Sequence, residues 1–270
     1  MIGFFYAIIS KFPLYKVSDA SMSPNFEKGN LTLTTNLFNK ESIKPNDVYI
    51  LGYEDEVYLS RIVAVPGDKI EIIDAVLYLN DNEVKSIKSK FKTKIVADSM
   101  FYEWYGEKYS IPKPNSFGEC EVNLTNKEYY ELEKNEFIKS IQKIIHPKAY
   151  QYTFQTFPIF PNNVLFNWSR DNFGPLLIPK KGDSIKLSPR NLALYKKLIE
   201  VDEANQLQMD GNTFFINNKL ALSYTFTKNY YWIMSDNRHH SKDSRYWGFF
   251  SEDHLIGKLT HVIYNPNEKN

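Results

Sequence analysis

Cysteine is nearly absent from this chain, which has 270 residues and a single cysteine, Cys120. One thiol cannot form an internal disulfide framework, and it does not identify a cellular compartment. Net charge is also almost absent, at +1, and the basic residues are scattered, so a nucleic-acid partner is not expected. Phosphate loops and dinucleotide fingerprints are missing. His239 and His240 are adjacent and have no cysteine partners, so neither a metal site nor a cofactor is expected.

Long hydrophobic runs are missing as well. The most apolar terminal segment, residues 2–9, ends at Lys11 and Pro13, short of the roughly 20 apolar residues of a spanning helix. It also lacks the basic start and the small-residue cleavage site of a secretory leader. Two interpretations of residues 1–12 stay open: a membrane-contacting stub, or a buried first strand. The mean hydropathy of −0.44 describes a water-soluble body, so membrane contact is expected only at one end.

Aromatic residues are plentiful, at 16% of the chain, and many alternate with polar residues, which favours β structure. Period-two patterns predict strands at residues 13–17, 31–35, 48–53, 57–64, 69–73, 76–79, 224–226, 230–234 and 256–264. In the turn that follows residue 64, Pro66 fixes φ and Gly67 accepts a positive φ. The chain is therefore predicted to be mainly β.

The composition changes between about residues 85 and 172, where lysine-rich and proline-rich stretches interrupt the strand pattern. A capping box at Thr125 and Glu128 predicts a helix that continues to about Ile145. Its apolar positions, from Tyr129 to Ile145, can share one helical face. A second helix, opened by Ser188, is predicted over residues 189–200.

Residues 235–248 read Ser-Asp-Asn-Arg-His-His-Ser-Lys-Asp-Ser-Arg-Tyr-Trp-Gly, with aromatic and apolar residues on both sides. Charges held against apolar surface must be paired, because an unpaired buried charge is costly. We therefore predict that Arg61 and Asp243 pair in the folded core. The alternative is a surface hairpin turn with incidental ion pairs.

Two further segments complete a pattern: Ser-Met-Ser-Pro at residues 21–24, and Tyr-Leu-Ser-Arg-Ile-Val-Ala-Val-Pro-Gly-Asp at residues 58–68. With residues 235–248, in this order and at these separations, they resemble the type I signal peptidases. Residues 167–175 are similar to the large inserted domain of Bacteroidetes-like members. The resemblance covers most of the chain outside residues 85–160.

This resemblance implies an antiparallel β core, at residues 13–84 and 176–264, with an inserted α+β domain at residues 85–175. The family consists of membrane-anchored serine endopeptidases that cleave leader peptides with a Ser–Lys dyad, in which a neutral lysine takes the proton of the serine. No cofactor is implied.

Residue by residue, the resemblance makes Ser21 the nucleophile and puts Ser60 at the general-base position. A serine hydroxyl has no basic form near neutral pH, so Ser60 cannot replace the lysine. Asp19 stands where a Ser or Thr often helps to hold the oxyanion, and an ionised carboxylate there would repel the developing charge. Ser235 replaces a glycine beside the lysine, and Ser241 corresponds to the hydroxyl that orients it.

The scaffold residues of the resemblance are kept: Arg61, Asp243 and Arg245 match the buried ion-pair cluster of the family. The frame is retained while the proton-transfer groups differ, which leaves three hypotheses. The protein is a working peptidase with a substitute base, such as Asp19 or Lys242; a catalytically inactive paralogue that binds leader peptides as an added strand; or a structural partner of an active signal peptidase or export complex. The expected partners are leader peptides of exported preproteins and the membrane surface, at the outer face of a bacterial cytoplasmic membrane.

Overall fold

The structure is a computed structural model that describes residues 13–85, 88–148 and 158–266. The apolar segment at residues 1–12 lies outside the described residues, as does Phe157 at the start of a proline-rich stretch. Among the described residues, no helix is both long enough and apolar enough to cross a bilayer.

Strands dominate the described chain. They are β1 (Leu14–Lys16), β2 (Leu31–Thr35), β3 (Val48–Tyr53), β4 (Glu56–Ala64), β5 (Lys69–Ile73), β6 (Val76–Leu79), β7 (Asn82–Glu83), β8 (Lys90–Ala97), β9 (Glu119–Thr125), β10 (Ile138–Lys143), β11 (Phe173–Leu177), β12 (Ser184–Lys186), β13 (Leu207–Asp210), β14 (Thr213–Ile216), β15 (Lys219–Leu220), β16 (Ser223–Thr225), β17 (Tyr230–Met234), β18 (Phe250–Ser251) and β19 (Leu255–Tyr264). The α-helices are α1 (Ser99–Tyr105), α2 (Asn126–Leu132), α3 (Pro189–Lys197) and α4 (Ser244–Trp247). Short helical turns lie at Lys40–Ser42, Leu198–Asp202 and Glu252–His254.

The central element is a seven-stranded sheet in the order β1-β2-β19-β3-β4-β17-β18. Each of its pairings is antiparallel. β4 lies between β3 and β17, with Ser60 opposite Tyr49 and Arg61 opposite Met234. Because β17 leads directly into residues 235–248, this register places that stretch beside the middle of β4. The mainly antiparallel β fold predicted from the sequence is confirmed.

The largest apolar core lies where a four-stranded sheet, β11-β5-β6-β7, meets the seven-stranded sheet. Trp232 of β17 and Phe173 of β11 are in ring contact there, with centroids 5.3 Å apart. Ile159, Phe166 and Trp168 belong to the same cluster. The chain that returns from the insert therefore packs in the core before residue 176, although the division at residue 175 itself stays a prediction.

The insert builds a small sheet of its own, β10-β8-β9, with α1 and α2 packed against it. Its buried centre includes Ile95, Phe101, Leu132 and Ile141. Two backbone hydrogen bonds join this sheet to the 235–248 stretch: Lys90 N–H donates to Asp236 O, and Arg238 N–H donates to Lys90 O, both at 2.9 Å. The insert thus contacts a stretch that carries candidate site residues.

The predicted helix from Thr125 to about Ile145 is correct at its start and wrong in its second half. Both capping-box hydrogen bonds between Thr125 and Glu128 are present, but α2 ends at Leu132. A turn around Asn135 follows, whose side chain accepts the Phe137 N–H at 3.0 Å. Residues Ile138–Lys143 then form β10, because pairing with β8 buries Ile141 in the sheet interior. The second predicted helix is confirmed as α3, capped by Ser188.

Candidate functional site

The Ser21 loop follows β1, and two hydrogen bonds from Asn237 hold its backbone in place. Asn237 N–H donates to Ser21 O at 2.8 Å, and Asn237 Nδ2 donates to Ala20 O at 3.2 Å. Next to Ser21, Met22 is completely buried in an apolar cluster. The backbone of Ser21 is therefore held by hydrogen bonds from Asn237 and by the burial of the neighbouring Met22.

Asp236 connects the 235–248 stretch to Arg61 of the second motif and to Asn25, the residue that follows the 21–24 motif. Its carboxylate accepts two hydrogen bonds from Arg61, with Nε–Oδ1 at 2.8 Å and Nη2–Oδ2 at 2.6 Å. Asn25 Nδ2, just after the Ser21 loop, also donates to Asp236 Oδ2 at 2.8 Å. The predicted pairing of Arg61 with Asp243 is therefore wrong. The register between β4 and β17 brings Arg61 next to Met234, so Asp236 is the acid within reach.

Asp243 instead pairs with Arg245, two residues away. Arg245 donates from Nε to Oδ1 at 2.9 Å and from Nη2 to Oδ2 at 2.8 Å. Asp243 also accepts the Ser235 N–H at 3.1 Å, and it caps α4. Burial alone would lower the pKa of Arg245, but the Asp243 carboxylate raises it above the ordinary value. The three scaffold residues of the resemblance all lie in buried ion pairs, as the apolar flanks predict, with Asp236 as the fourth member.

A cavity of about 200 Å³ opens in front of Ser21. It brings together several of the predicted site positions. Its lining residues are Asp19, Ala20, Ser21, Tyr58, Leu59, Ser60, Ser235, His240, Ser241, Lys242 and Trp247. The nucleophile position, the base position and the oxyanion position of the resemblance therefore share one cavity, although their sequence numbers span most of the chain.

Ser60, at the base position, is 2% exposed, and its Oγ has no hydrogen-bond partner among the described residues. A buried hydroxyl without a partner contributes neither a base nor stability. Ser241 Oγ, at the position that orients the base in the family, donates to Asn237 O at 2.8 Å. Its hydrogen bond therefore supports the loop that fixes Ser21.

Asp19 contacts the Ser21 backbone directly. Its Oδ1 accepts the Ser21 N–H at 2.8 Å. The resemblance assigns this N–H to the developing oxyanion, so the carboxylate occupies a donor that transition-state stabilisation would require. Asp19 therefore opposes oxyanion binding in two ways: by its charge, and by using the donor.

Two basic side chains of the cavity come from the same loop, His240 and Lys242. Lys242 is one of the substitute bases predicted from the sequence, whereas the sequence pattern raises His240 only as a possible metal ligand. The sequence does not show which of the two adjacent histidines lines the cavity. The folded loop places His240 in the cavity wall and His239 outside it. The third ionisable neighbour, Tyr58, is a poor base, because burial and the Glu56 carboxylate raise the pKa of its phenol to about 12.

His239 points away from the cavity into a buried network with Asp171 and His146. Three ligand atoms of this group lie within 4.8 Å of one another, which is the spacing of a metal cluster. The hydrogen bonds argue otherwise: Lys92 N–H donates to His239 Nδ1 at 3.0 Å, so Nε2 carries the proton that it shares with Asp171 Oδ1 at 2.6 Å. Asp171 Oδ2 accepts the backbone N–H of His146 at 2.9 Å and lies 2.6 Å from His146 Nδ1. Burial would raise the pKa of Asp171, but these two imidazoles hold it well below its ordinary value.

Ser21, at the position that the resemblance assigns to the nucleophile, lies on a hydrogen-bonded loop within an antiparallel β frame that holds two buried Arg–Asp pairs. A family model described as signal peptidase, peptidase S26, matches residues 1–137 and 177–264. The chain belongs to this family, as the resemblance of its three motifs predicts.

Individual relatives carry the same family name. Signal peptidase I of Buchnera aphidicola subsp. Baizongia pistaciae is 25% identical over 207 residues, which is 76% of this chain and 49% of that protein. Signal peptidase I of Buchnera aphidicola subsp. Schizaphis graminum is 51% identical over 48 residues, covering 18% of this chain and 15% of the relative. Signal peptidase I V of Bacillus subtilis is 32% identical over 72 residues, or 26% and 43% of the two chains. The matched part of this chain spans half or less of the length of these relatives.

Proposed function

We propose that this protein binds leader peptides of exported proteins in the Ser21 cavity without cleaving them by a Ser–Lys dyad. The observation that carries the proposal is the hydrogen bond from Ser21 N–H to Asp19 Oδ1. The buried hydroxyl of Ser60 at the base position supports it further. A serine without a base is a poor nucleophile, and a carboxylate at the oxyanion donor disfavours the tetrahedral intermediate.

The proposed recognition mode is addition of the peptide as an extended strand. β1 lies at the edge of the seven-stranded sheet as described, and it leads directly to the Ser21 loop. An added strand would gain main-chain hydrogen bonds, while alternate side chains would enter the cavity. Serine and alanine side chains among the lining residues leave room for small peptide side chains.

The proposed location is the outer face of a bacterial cytoplasmic membrane, where leader peptides emerge. The membrane surface and an active signal peptidase or export complex are the proposed partners. Residues 85–175 are the proposed contact region for such a complex.

A second candidate function is peptide cleavage with a different base. His240 and Lys242 line the same cavity as Ser21, and histidine is the side chain that most often serves as a general base. In this mechanism Ser21 would attack the scissile carbonyl while His240 takes its proton. Asp19 would have to release the Ser21 N–H as the oxyanion forms.

One experiment separates the two candidates. Purified protein is given a fluorescent leader peptide that has small residues before the cleavage position, and binding and cleavage are measured together. We expect saturable binding with no turnover, and loss of binding when the small residues are replaced by Phe. The Ser21→Ala variant should bind as tightly as the wild type.

Turnover that disappears in both Ser21→Ala and His240→Gln would overturn the binding-only proposal and establish the second mechanism. Turnover lost in Ser21→Ala but kept in His240→Gln would point to Lys242 instead. Absence of both binding and turnover would reject the cavity as a peptide site.

A further inference from the structure

A second cavity, of about 190 Å³, lies away from Ser21 at the junction of three parts of the fold. The four-stranded sheet, the insert and the 235–248 stretch each contribute to its wall. The apolar part of the wall includes Val63, Ile72, Leu77, Val84, Phe91 and Met234. None of its lining residues also lines the Ser21 cavity, so the two sites are separate.

Arg238 lines this cavity, and its guanidinium is only partly satisfied. Its Nη1 lies 2.8 Å from Met234 Sδ, which is a weak acceptor, and its Nε is buried without a hydrogen-bond partner. Throughout the described chain it forms no ion pair, in contrast to Arg61 and Arg245. Burial lowers the pKa of Arg238 to about 10, and the nearby Arg245 adds to this effect, although the carboxylates of Asp236 and Asp243 oppose it. A buried guanidinium of this kind is stabilised by an anion.

Lys143 brings a second cation to the same cavity from β10 of the insert. Its Nζ donates to Asn126 Oδ1 at 2.7 Å and lies 5.4 Å from the ring centroids of Phe91 and Tyr129. In the part of the chain that the structure covers, Lys143 has no carboxylate partner either. Burial lowers the pKa of its amine. Arg238 and Lys143 therefore present donors from two different structural units.

The acidic groups on the wall do not neutralise these two cations. Both oxygens of Asp171 are occupied: Oδ1 accepts from His239 Nε2, and Oδ2 accepts from the backbone N–H of His146. Asp74 is exposed and accepts from Asn172 Nδ2 at 3.2 Å, and Glu83 is exposed on β7. Of the other cations, Arg170 donates to His146. Arg238 and Lys143 are thus the cations of this wall without an ion pair among the described residues, while Asp74 and Glu83 are exposed.

We propose that this cavity binds a small amphipathic carboxylate, with its head group between Arg238 and Lys143 and its apolar chain against the aliphatic wall. The arginine fork accommodates a carboxylate with two parallel hydrogen bonds. The size is adequate, since an apolar cavity of roughly 150 Å³ already accepts benzene. Because the ligand would contact the four-stranded sheet, the insert and the 235–248 stretch at once, it would fasten the insert to the core.

The test uses octanoate as the probe and calorimetry on the full chain, with a parallel thermal unfolding series. 1-Octanol supplies the chain without the charge, and acetate supplies the charge without the chain. We expect saturable octanoate binding and a rise in Tm, with at least tenfold weaker binding of both controls. Equal binding of octanol would overturn the anionic specificity, and lack of octanoate binding at millimolar concentration would overturn the site.

Variants locate the probe. Arg238→Gln and Lys143→Gln should each weaken octanoate binding at least about tenfold, which is the effect of losing a hydrogen bond to a charged group. Lys139→Gln is the matched control, because Lys139 also lies on β10 but pairs with the exposed Asp98. Val84→Phe, which fills the apolar wall, should block binding while the protein stays folded. Unchanged affinity in Arg238→Gln or Val84→Phe would place the probe elsewhere and refute the proposal.

Discussion

Arg61 and Asp236 form a bidentate ion pair that joins the middle of β4 to the loop after β17. The Arg61 side chain is 9% exposed and that of Asp236 is completely buried. Arg61 Nη1 also donates to Asn46 O at 2.8 Å, and Asn25 donates to Asp236. This pair therefore joins two of the motifs that carry the family resemblance, and Asn25 links it to the residues just after the third.

The first prediction concerns the strength of this pair. Asp236→Ala should lower the free energy of unfolding by about 3–5 kcal/mol, because it leaves the Arg61 charge buried without a partner. Asp253→Ala is the control, since Asp253 is 55% exposed and its pairs with Lys40 and Lys228 lie at the surface. It should cost at most about 1 kcal/mol. Urea unfolding of the three proteins measures both values.

A double-mutant cycle tests the choice of partner. The double mutant Arg61→Met/Asp236→Leu should show a coupling energy well above about 0.5 kcal/mol. Mutations at independent sites deviate from additivity by no more than about that amount. The coupling of Arg61→Met with Asp243→Leu should be clearly smaller. A larger coupling energy with Asp243 than with Asp236 would instead support the pairing of Arg61 with Asp243 that the sequence suggested.

A second prediction compares two buried serines. Ser60→Ala should leave stability unchanged or raise it by about 1 kcal/mol, because it removes a buried hydroxyl that lacks a partner. Ser244→Ala is the matched control: Ser244 is equally buried, but its Oγ accepts the Ile233 N–H at 3.0 Å. That change should destabilise the fold by about 1–3 kcal/mol. A large loss of stability in Ser60→Ala would reveal a hydrogen bond to its hydroxyl.

The third prediction is a reconstruction of the dyad. Ser60→Lys alone should not give full leader-peptide cleavage, because Asp19 still holds the Ser21 N–H. Adding Asp19→Ser and Ser235→Gly should raise the cleavage rate at least about 100-fold over the single variant, the effect of one oxyanion donor. Ser21→Ala in the triple background should abolish cleavage. Equal rates for the single and triple variants would show that Asp19 and Ser235 do not limit the reaction.

The fourth prediction is a pH dependence of stability that comes from His239. Its side chain is completely buried, and burial lowers the pKa of its imidazole, although the Asp171 carboxylate opposes the shift. Below about pH 6.5 the unfolded chain takes up the proton first, so the free energy of unfolding should rise with pH between about 5 and 7. Asp171 does not contribute in this window, because it is ionised in both states. Its contribution is lost only as the pH falls below about 4.

Chemical unfolding at several pH values checks this prediction. His239→Gln keeps a donor and an acceptor but cannot titrate, so it should flatten the dependence. His261→Gln, on the exposed part of β19, should leave the slope unchanged. A slope that is identical in wild type and His239→Gln would assign the proton uptake to another group.

Local pattern was sufficient for nine of the nineteen described strands, β1–β6, β16, β17 and β19, and for the starts of α2 and α3. The strands β7–β15 and β18 and the helices α1 and α4 were not predicted. β2, β3, β5, β6 and β17 have the predicted bounds, because a period of two and the flanking turn residues are properties of short segments. The capping box at Thr125 is equally local. The end of α2 was missed, because apolar residues from Phe137 onward fit both a helical face and a strand, and only pairing with β8 decides between them.

The sequence by itself determined the family, the antiparallel β frame, the retention of Ser21 and the loss of a lysine at position 60. It also required that the charges of residues 235–248 be paired, since they lie between apolar segments. The tertiary structure decided which charges pair. Strand register places Asp236 against Arg61, so Asp243 pairs with Arg245. Arg238 forms no ion pair among the described residues. In the same loop, His239 lies in a buried network and His240 lines the Ser21 cavity. Residue types are local information, but partners and orientation depend on contacts between segments far apart in the chain.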